Sequence, residues 1–324
     1  MTGWELFDAA AKPDLAPIES VLGAPRGFDD RTARALADAL PAIERSGSAG
    51  PRSAPEGERG VLIDTRPQTI EAADHAQHQL IELFGGHRSA AFLTVYHGIT
   101  VAVTDALERG ILTPKRFFSR LDGKFAERHF DGVKTELGLG TTTDAATYGL
   151  WRPSFAFDNT LPDSSTVLGT KPPMAHFTVG MCCHINFDLA CALDETIREL
   201  GYAGDAAALA EIERGHNYVD TILTEQVQQS CELLATQMDC PMSKKIIESG
   251  AVKTVGEVSM SMIRRWRAKT FVHAMQLCRA QSDDERAAIR ADIYKAGARK
   301  TVRLFNTLPS LIEGTLRGTW LGGQ

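Results

Sequence analysis

The sequence lacks nearly every feature from which a function is usually read. Its six cysteines (Cys182, Cys183, Cys191, Cys231, Cys240 and Cys278) include no CxxC pair. Most lie inside apolar helical patterns, so they read as reduced core residues and not as a disulfide framework. No run approaches the ~18 apolar residues of a membrane span. The start, MTGWELFDAAAKPDLAP, carries acidic residues early and no apolar core of signal-peptide length, so a cytoplasmic protein is expected. There is no GxSxG, no HExxH and no DDxxD. The segment GLGTTT is neither preceded by a strand nor followed by a lysine in P-loop register. Redox-cofactor motifs and activated nucleophiles are equally missing. The paired Glu-x-x-His motifs of di-iron bundles are absent, and the lone tetrad Glu213-Arg-Gly-His216 carries little weight. A net charge of −6 argues against nucleic-acid binding, and the basic run RRWRAK is split between two helix faces.

What is present is helix. With 324 residues, 43% of them hydrophobic and 23% charged, the chain has ample material for a core. Helical periodicity covers about 29–44, 68–84, 88–109, 114–134, 204–238, 241–249, 253–281 and 283–316, and no alternating strand longer than a few residues stands out. The expected fold is all-α: a single multi-helix, bundle-like domain over 61–324. An N-terminal helical segment (1–45) would precede it, joined by a Gly/Ser/Pro-rich loop or linker (46–60). Ser282-DDE reads as an N-cap with acids in the first turn.

The bundle is expected to form around a helix at about 174–200, bounded by Pro172 and Pro173 before it and Gly201 after it. This stretch has no polar face until Asp194, yet it carries His184, Asn186 and Asp188 in its middle. Burying such groups unpartnered costs about 2–7 kcal/mol each, so other segments must supply partners. His184 and Asp188 stand i,i+4, about 40° apart, and can address one cavity; Asn186 lies about 160° from His184 and must address something else. Neighbouring helices put Asp122 and His129, His97, and Arg267 into apolar stripes, while Glu213, His216 and Asp220 share one face. A buried arginine needs a carboxylate, and Asp188 or Asp122 is the expected partner of Arg267.

This pattern points to an enzyme of small-molecule metabolism with a largely apolar pocket. His184 would act as acid/base, oriented by Asp188, with Asp122 as a second acid, in cyclisation, isomerisation or elimination. Arg267, His129, His97, Trp151 and Phe155 would contact the substrate, the aromatic region 151–157 would wall the pocket, and Asn186 would be structural. No cofactor is expected. The alternatives are a metal-dependent oxygenase or hydrolase, with His129, His184, Asp122 and Asp188 as ligands to a divalent ion, and a non-catalytic ligand-binding or scaffold protein. The expected partner is a small apolar or amphipathic molecule, not nucleic acid or membrane.

Three stretches, LDGKFAERHFDG, GMCCHINFDLA and SMIRRWRAKTF, resemble a family catalogued as domain of unknown function 5995, from about Ala90 to Leu277. The resemblance implies an all-helical fold and puts Asp122, His184, Asn186, Asp188 and Arg267 on its motif positions. It implies no activity. His129 departs from the tyrosine usual in the family, and Asp220 from an asparagine. A ligand set that includes His129 would therefore not be a family-wide property.

Overall fold

The computed structural model describes residues 63–84, 90–137, 151, 154–155, 173–237 and 252–321. The expected helices at 29–44 and 241–249, the loop at 46–60 and most of the aromatic region after Trp151 lie outside these residues. Within them the protein is all-α, with seven packed helices and no strand.

Each helix follows its apolar stripe. In α1 (Ile70–Phe84) the buried residues Ile70, Ala73, Gln77, Leu80 and Phe84 recur every three or four positions. Thr69 caps it through its hydroxyl, which accepts from the Ala72 amide. α2 (Ala90–Glu108) is apolar and long enough to cross a membrane by length and composition alone. Its most apolar window is 61% buried, however, against α1 and the helices described next, as a core helix would be. α3 (Lys115–Glu136) packs across α1 and meets the central helix, α4.

α4 runs as an α-segment Pro173–Cys183, a π-helical turn His184–Asp188 and a second α-segment Leu189–Glu199. Every residue from Phe177 to Asp194 is buried. Its first half packs on α2 and on the last helix, α7 (Asp283–Leu321). Its second half packs on α3 and on α6 (Val252–Arg279), with α5 (Ala206–Gln237) bridging α2 and α6.

The ends of α4 are well specified. Gly201 takes a positive φ of 75° just past the helix, the Tyr202 amide bonds Ile197 O, and the Gly201 amide bonds Arg198 O. This is the Schellman arrangement, open at little cost to glycine. Ion pairs on Glu195 (from Arg128 and Arg290) and on Glu199 (from Arg120 and Lys124) tie this end to α3 and α7. α7 starts as its sequence suggests: Ser282 Oγ accepts from the Glu285 amide, and the Glu285 carboxylate accepts from the Gln281 amide. Cys182, Cys183 and Cys191 are buried in the core, and burial pushes Cys182 up to about 11.

Candidate functional site

The π-turn carries the polar residues that the sequence singles out. One additional residue is fitted into the turn, and the Leu189 amide reaches back to His184 O. Thr270 of α6 braces it by donating to Ile185 O at 2.9 Å. Single π-turns of this kind occur often at functional sites.

His184 is fixed from several sides. Its Nδ1 lies 2.9 Å from Asp188 Oδ2, and the Trp151 indole N–H donates to the same oxygen at 2.9 Å. The indole can only donate, so Oδ2 is an acceptor; with that oxygen accepting from the ring as well, Nδ1 carries the hydrogen and Nε2 keeps its lone pair. Phe125 stacks flat on the imidazole, with centroids 3.4 Å apart and planes tilted by 9°. Phe92 and Tyr96 meet the ring edge-on. Gly180 makes this possible, since a Cβ there would come within 2.8 Å of the Phe92 ring. His184 Nε2 is buried and has no hydrogen-bond partner among the described residues. Burial, and secondarily the charge of Arg128, hold its pKa well below the usual histidine value. The ring is therefore a neutral, unpartnered acceptor.

A second polar chain approaches from α1, α2 and α3. Gln77 Nε2 donates to Thr100 Oγ1 at 3.2 Å, and Thr100 Oγ1 donates to Asp122 Oδ2 at 3.4 Å. The Tyr96 hydroxyl lies near both Asp122 and Gln77 without a well-aligned hydrogen bond to either. Burial pushes the Asp122 carboxyl up to about 7, against smaller lowering effects from Thr100 and Tyr96.

His184 and Asp122 line one half-enclosed cavity of about 70 Å³, together with Tyr96, His216 and Arg267. The remaining wall is apolar, including Ile99, Val103 and Leu223. Several residues from the sequence reading fall elsewhere. Asp188 stands behind His184 and does not line the cavity. Trp151 and Phe155 stack on each other (5.7 Å, 19°) in the core, away from the cavity wall, where Trp151 holds Asp188. His129 is buried among Phe92, Trp151 and Phe155, also off the cavity. His97 faces α1 and pairs with Asp74 at 2.9 Å.

The expected partner of Arg267 needs correction. It is neither Asp188 nor Asp122 but Asp220 of α5, whose Oδ1 accepts from Arg267 Nε at 2.6 Å. Arg267 Nη2 donates to His216 O at 2.6 Å, and His216 Nε2 lies 3.3 Å from Arg267 O. α6 packs against both α5 and α4, and Arg267 turns its guanidinium to the α5 side, where Asp220 and the His216 carbonyl meet it. Glu213, one turn away, is exposed.

The proposed metal set also fails on geometry. Among the described residues no three His, Cys, Asp or Glu side chains could hold a metal ion. His184 Nδ1 is committed to Asp188, Asp122 belongs to the Thr100 chain, and His129 is enclosed by rings.

Asn186 points away from all of this. Its Nδ2 donates to Cys182 O at 2.9 Å, and its Oδ1 accepts from Lys300 of α7 at 2.5 Å. Truncating it to alanine leaves the Lys300 ammonium without that acceptor. Asn186→Ala should therefore cost about 1–3 kcal/mol in urea denaturation, and a cost below ~0.5 kcal/mol would mean the contact does not matter.

Sequence reasoning missed Gln77, Thr100 and Tyr96. The signal was there for Gln77, which occupies a core position of the α1 stripe, as Arg267 does on α6.

The fold and cavity define an all-helical protein with a buried polar site in its central helix. Residues 70–307 match the model of a family of unknown function, DUF5995, and the chain belongs to that family. No curated protein and no solved structure matches the chain.

Proposed function

We propose that this protein is an enzyme that moves protons on a small, largely apolar molecule held in the cavity, in an isomerisation, elimination or cyclisation. The observation that carries this reading is Nε2 of buried, neutral His184, which has no partner among the described residues, in a residue lining the same cavity as an Asp122 carboxyl pushed up to about 7. A group at that pKa is half protonated near neutral pH, where it serves equally as acid and as base. His184 Nε2 is the base; Asp188 positions it by holding Nδ1, and Trp151 in turn holds Asp188. Asp122 is the acid, and the Tyr96 hydroxyl beside it can carry the proton onward.

This reading can be tested without knowing the net reaction. A panel of small carbonyl compounds and alkenes, charged and neutral, is incubated with the protein in D₂O, and deuterium uptake at carbon is followed by mass spectrometry. Uptake by at least one compound is expected, and it should fall about 10²-fold with His184→Gln. Uptake unchanged by both His184→Gln and Asp122→Asn would remove these residues from the chemistry.

The flat contact of Phe125 on His184 favours a second reading, in which the same cavity only binds its ligand. In that case no member of the panel exchanges.

A further inference from the structure

The guanidinium in the cavity wall has donors left over. Arg267 is buried, with 7% of its side chain exposed. Its Nε serves Asp220 Oδ1, and its Nη2 serves the His216 carbonyl and lies 3.4 Å from His216 Nδ1. Nη1 has no hydrogen-bond partner among the described residues and, unlike His184 Nε2, is not fully enclosed, so it is open to solvent or to a ligand. A guanidinium carries five N–H donors and cannot shed its proton, so two N–H groups of a buried cation remain unused. Being open to water, they can be hydrated, and an anion would replace that water with a stronger, charge-assisted bond. Asp220 is a poor candidate for a second bond, since its carboxylate is already engaged at Nε and its side chain keeps 23% exposure towards solvent.

The rest of the cavity restricts what the anion can be. Beyond Arg267, His184, Asp122, His216 and Tyr96 its wall is hydrocarbon, so a multiply charged ion such as phosphate would have one cation and mostly apolar neighbours. The volume of about 70 Å³ is roughly half of the ~150 Å³ that holds benzene in an engineered apolar cavity. A short chain with one planar, singly charged head fits both limits.

We infer that Arg267 Nη1 is the anion subsite of this cavity and that its ligand is a short-chain monocarboxylate. Its head would be held by Arg267, and its carbon chain would lie against Ile99, Val103 and Leu223 within reach of His184. This rests on reading the cavity as a binding site and names the class of molecule it takes.

The test is a titration of the full chain, with labelled Ile, Leu and Val methyl groups, against propionate, the isosteric neutral propionamide, and inorganic phosphate. Propionate should bind saturably, with a Kd on the order of 1 mM, as five heavy atoms allow. The shifted methyls should be those of Ile99, Val103 and Leu223. Propionamide and phosphate should each bind at least tenfold more weakly. Arg267→Lys keeps a charge for Asp220 but loses the fork, and it should weaken propionate at least tenfold. Should that variant not fold, Val103→Phe, which fills the cavity without touching Arg267, should abolish the shifts.

Equal binding of propionate and propionamide, shifts outside the cavity, or no saturable binding by the wild-type chain would each overturn the subsite. Deuterium uptake by neutral members of the carbonyl panel would then still support the acid–base reading. Conversely, propionate binding that survives His184→Gln, in a protein that exchanges nothing, would keep the subsite and remove the chemistry.

Discussion

Replacing Asp122 with asparagine is expected to make the protein progressively more stable than the wild type as pH rises from 4 to 7. The cause is burial, which raises the Asp122 carboxyl from 3.8 to about 7 in the folded chain. Over that interval the unfolded chain has already released this proton and the folded chain has not. Folding therefore takes up a proton, and stability falls with each step in pH until the folded group also ionises. The contribution is fully present below pH 3.8, is lost as pH climbs through about 7, and is flat beyond. At 1.36 kcal/mol per tenfold difference in proton affinity, the loss approaches ~4 kcal/mol. Against a typical total of ~5–15 kcal/mol, that is a large share.

Three buried histidines act in the opposite sense. His129, His184 and His216 are all held well below the usual value, chiefly by burial. They cost stability below about pH 6.5, where the unfolded chain takes up protons that they do not. Both proteins carry these histidines, so the quantity to read is the difference between variant and wild type in urea denaturation at several pH values. The value at pH 3.5 reports the substitution itself, including the new amide N–H groups beside Tyr96. The growth of the difference towards pH 8 reports the carboxylate. Parallel stability curves would mean that Asp122 titrates as an ordinary, hydrated aspartate and is not poised for proton transfer.

How much of this was legible in the sequence depends on the range of the interaction. Helical phase is local, so the stripes of α1, α3, α6 and α7 could be read from spacing, and so could the i,i+4 relation of His184 and Asp188. A buried polar residue at a core phase is also visible, which is how Arg267 and Asp122 were singled out and how Gln77 should have been. What spacing does not encode is which helix lies opposite. Burial alone pairs Arg267 with Asp188 or Asp122, the carboxylates that spacing also places in the core. Its actual partner, Asp220, stood on a recognised polar face with His216. Both α4 and α5 pack on α6, and only the direction of the guanidinium, towards α5, decides between them. The aromatic character of Trp151 suggests a pocket wall, although its N–H is the more informative feature: a buried indole needs an acceptor, and Asp188 supplies it. The π-turn had no sequence signal that we can name. It exists through contacts from α6 and α7, made by Thr270 and Lys300, more than eighty residues downstream.

The second large effect is expected at Arg267. Arg267→Ala removes the cation from a pair whose carboxylate partner, Asp220, is mostly desolvated, and it also strips the His216 carbonyl of its donor. Breaking one side of a buried pair typically costs 3–5 kcal/mol, because the other charge stays behind. Asp220 keeps 23% of its side-chain exposure and can rehydrate in part, so about 3 kcal/mol is expected. Arg265 of α6 provides the control. It is exposed, and Arg265→Ala should change stability by less than ~0.5 kcal/mol. The partner is identified by a double-mutant cycle. Asp220→Asn in the Arg267→Ala background removes the stranded charge and should recover part of the loss. Asp122→Asn in the same background should add its own effect without coupling. Coupling to Asp122 and none to Asp220 would reverse the assignment of the pair. Equal, small losses from Arg267→Ala and Arg265→Ala would mean that α6 is rotated from the phase described and that neither the pair nor the anion subsite is where its geometry puts it.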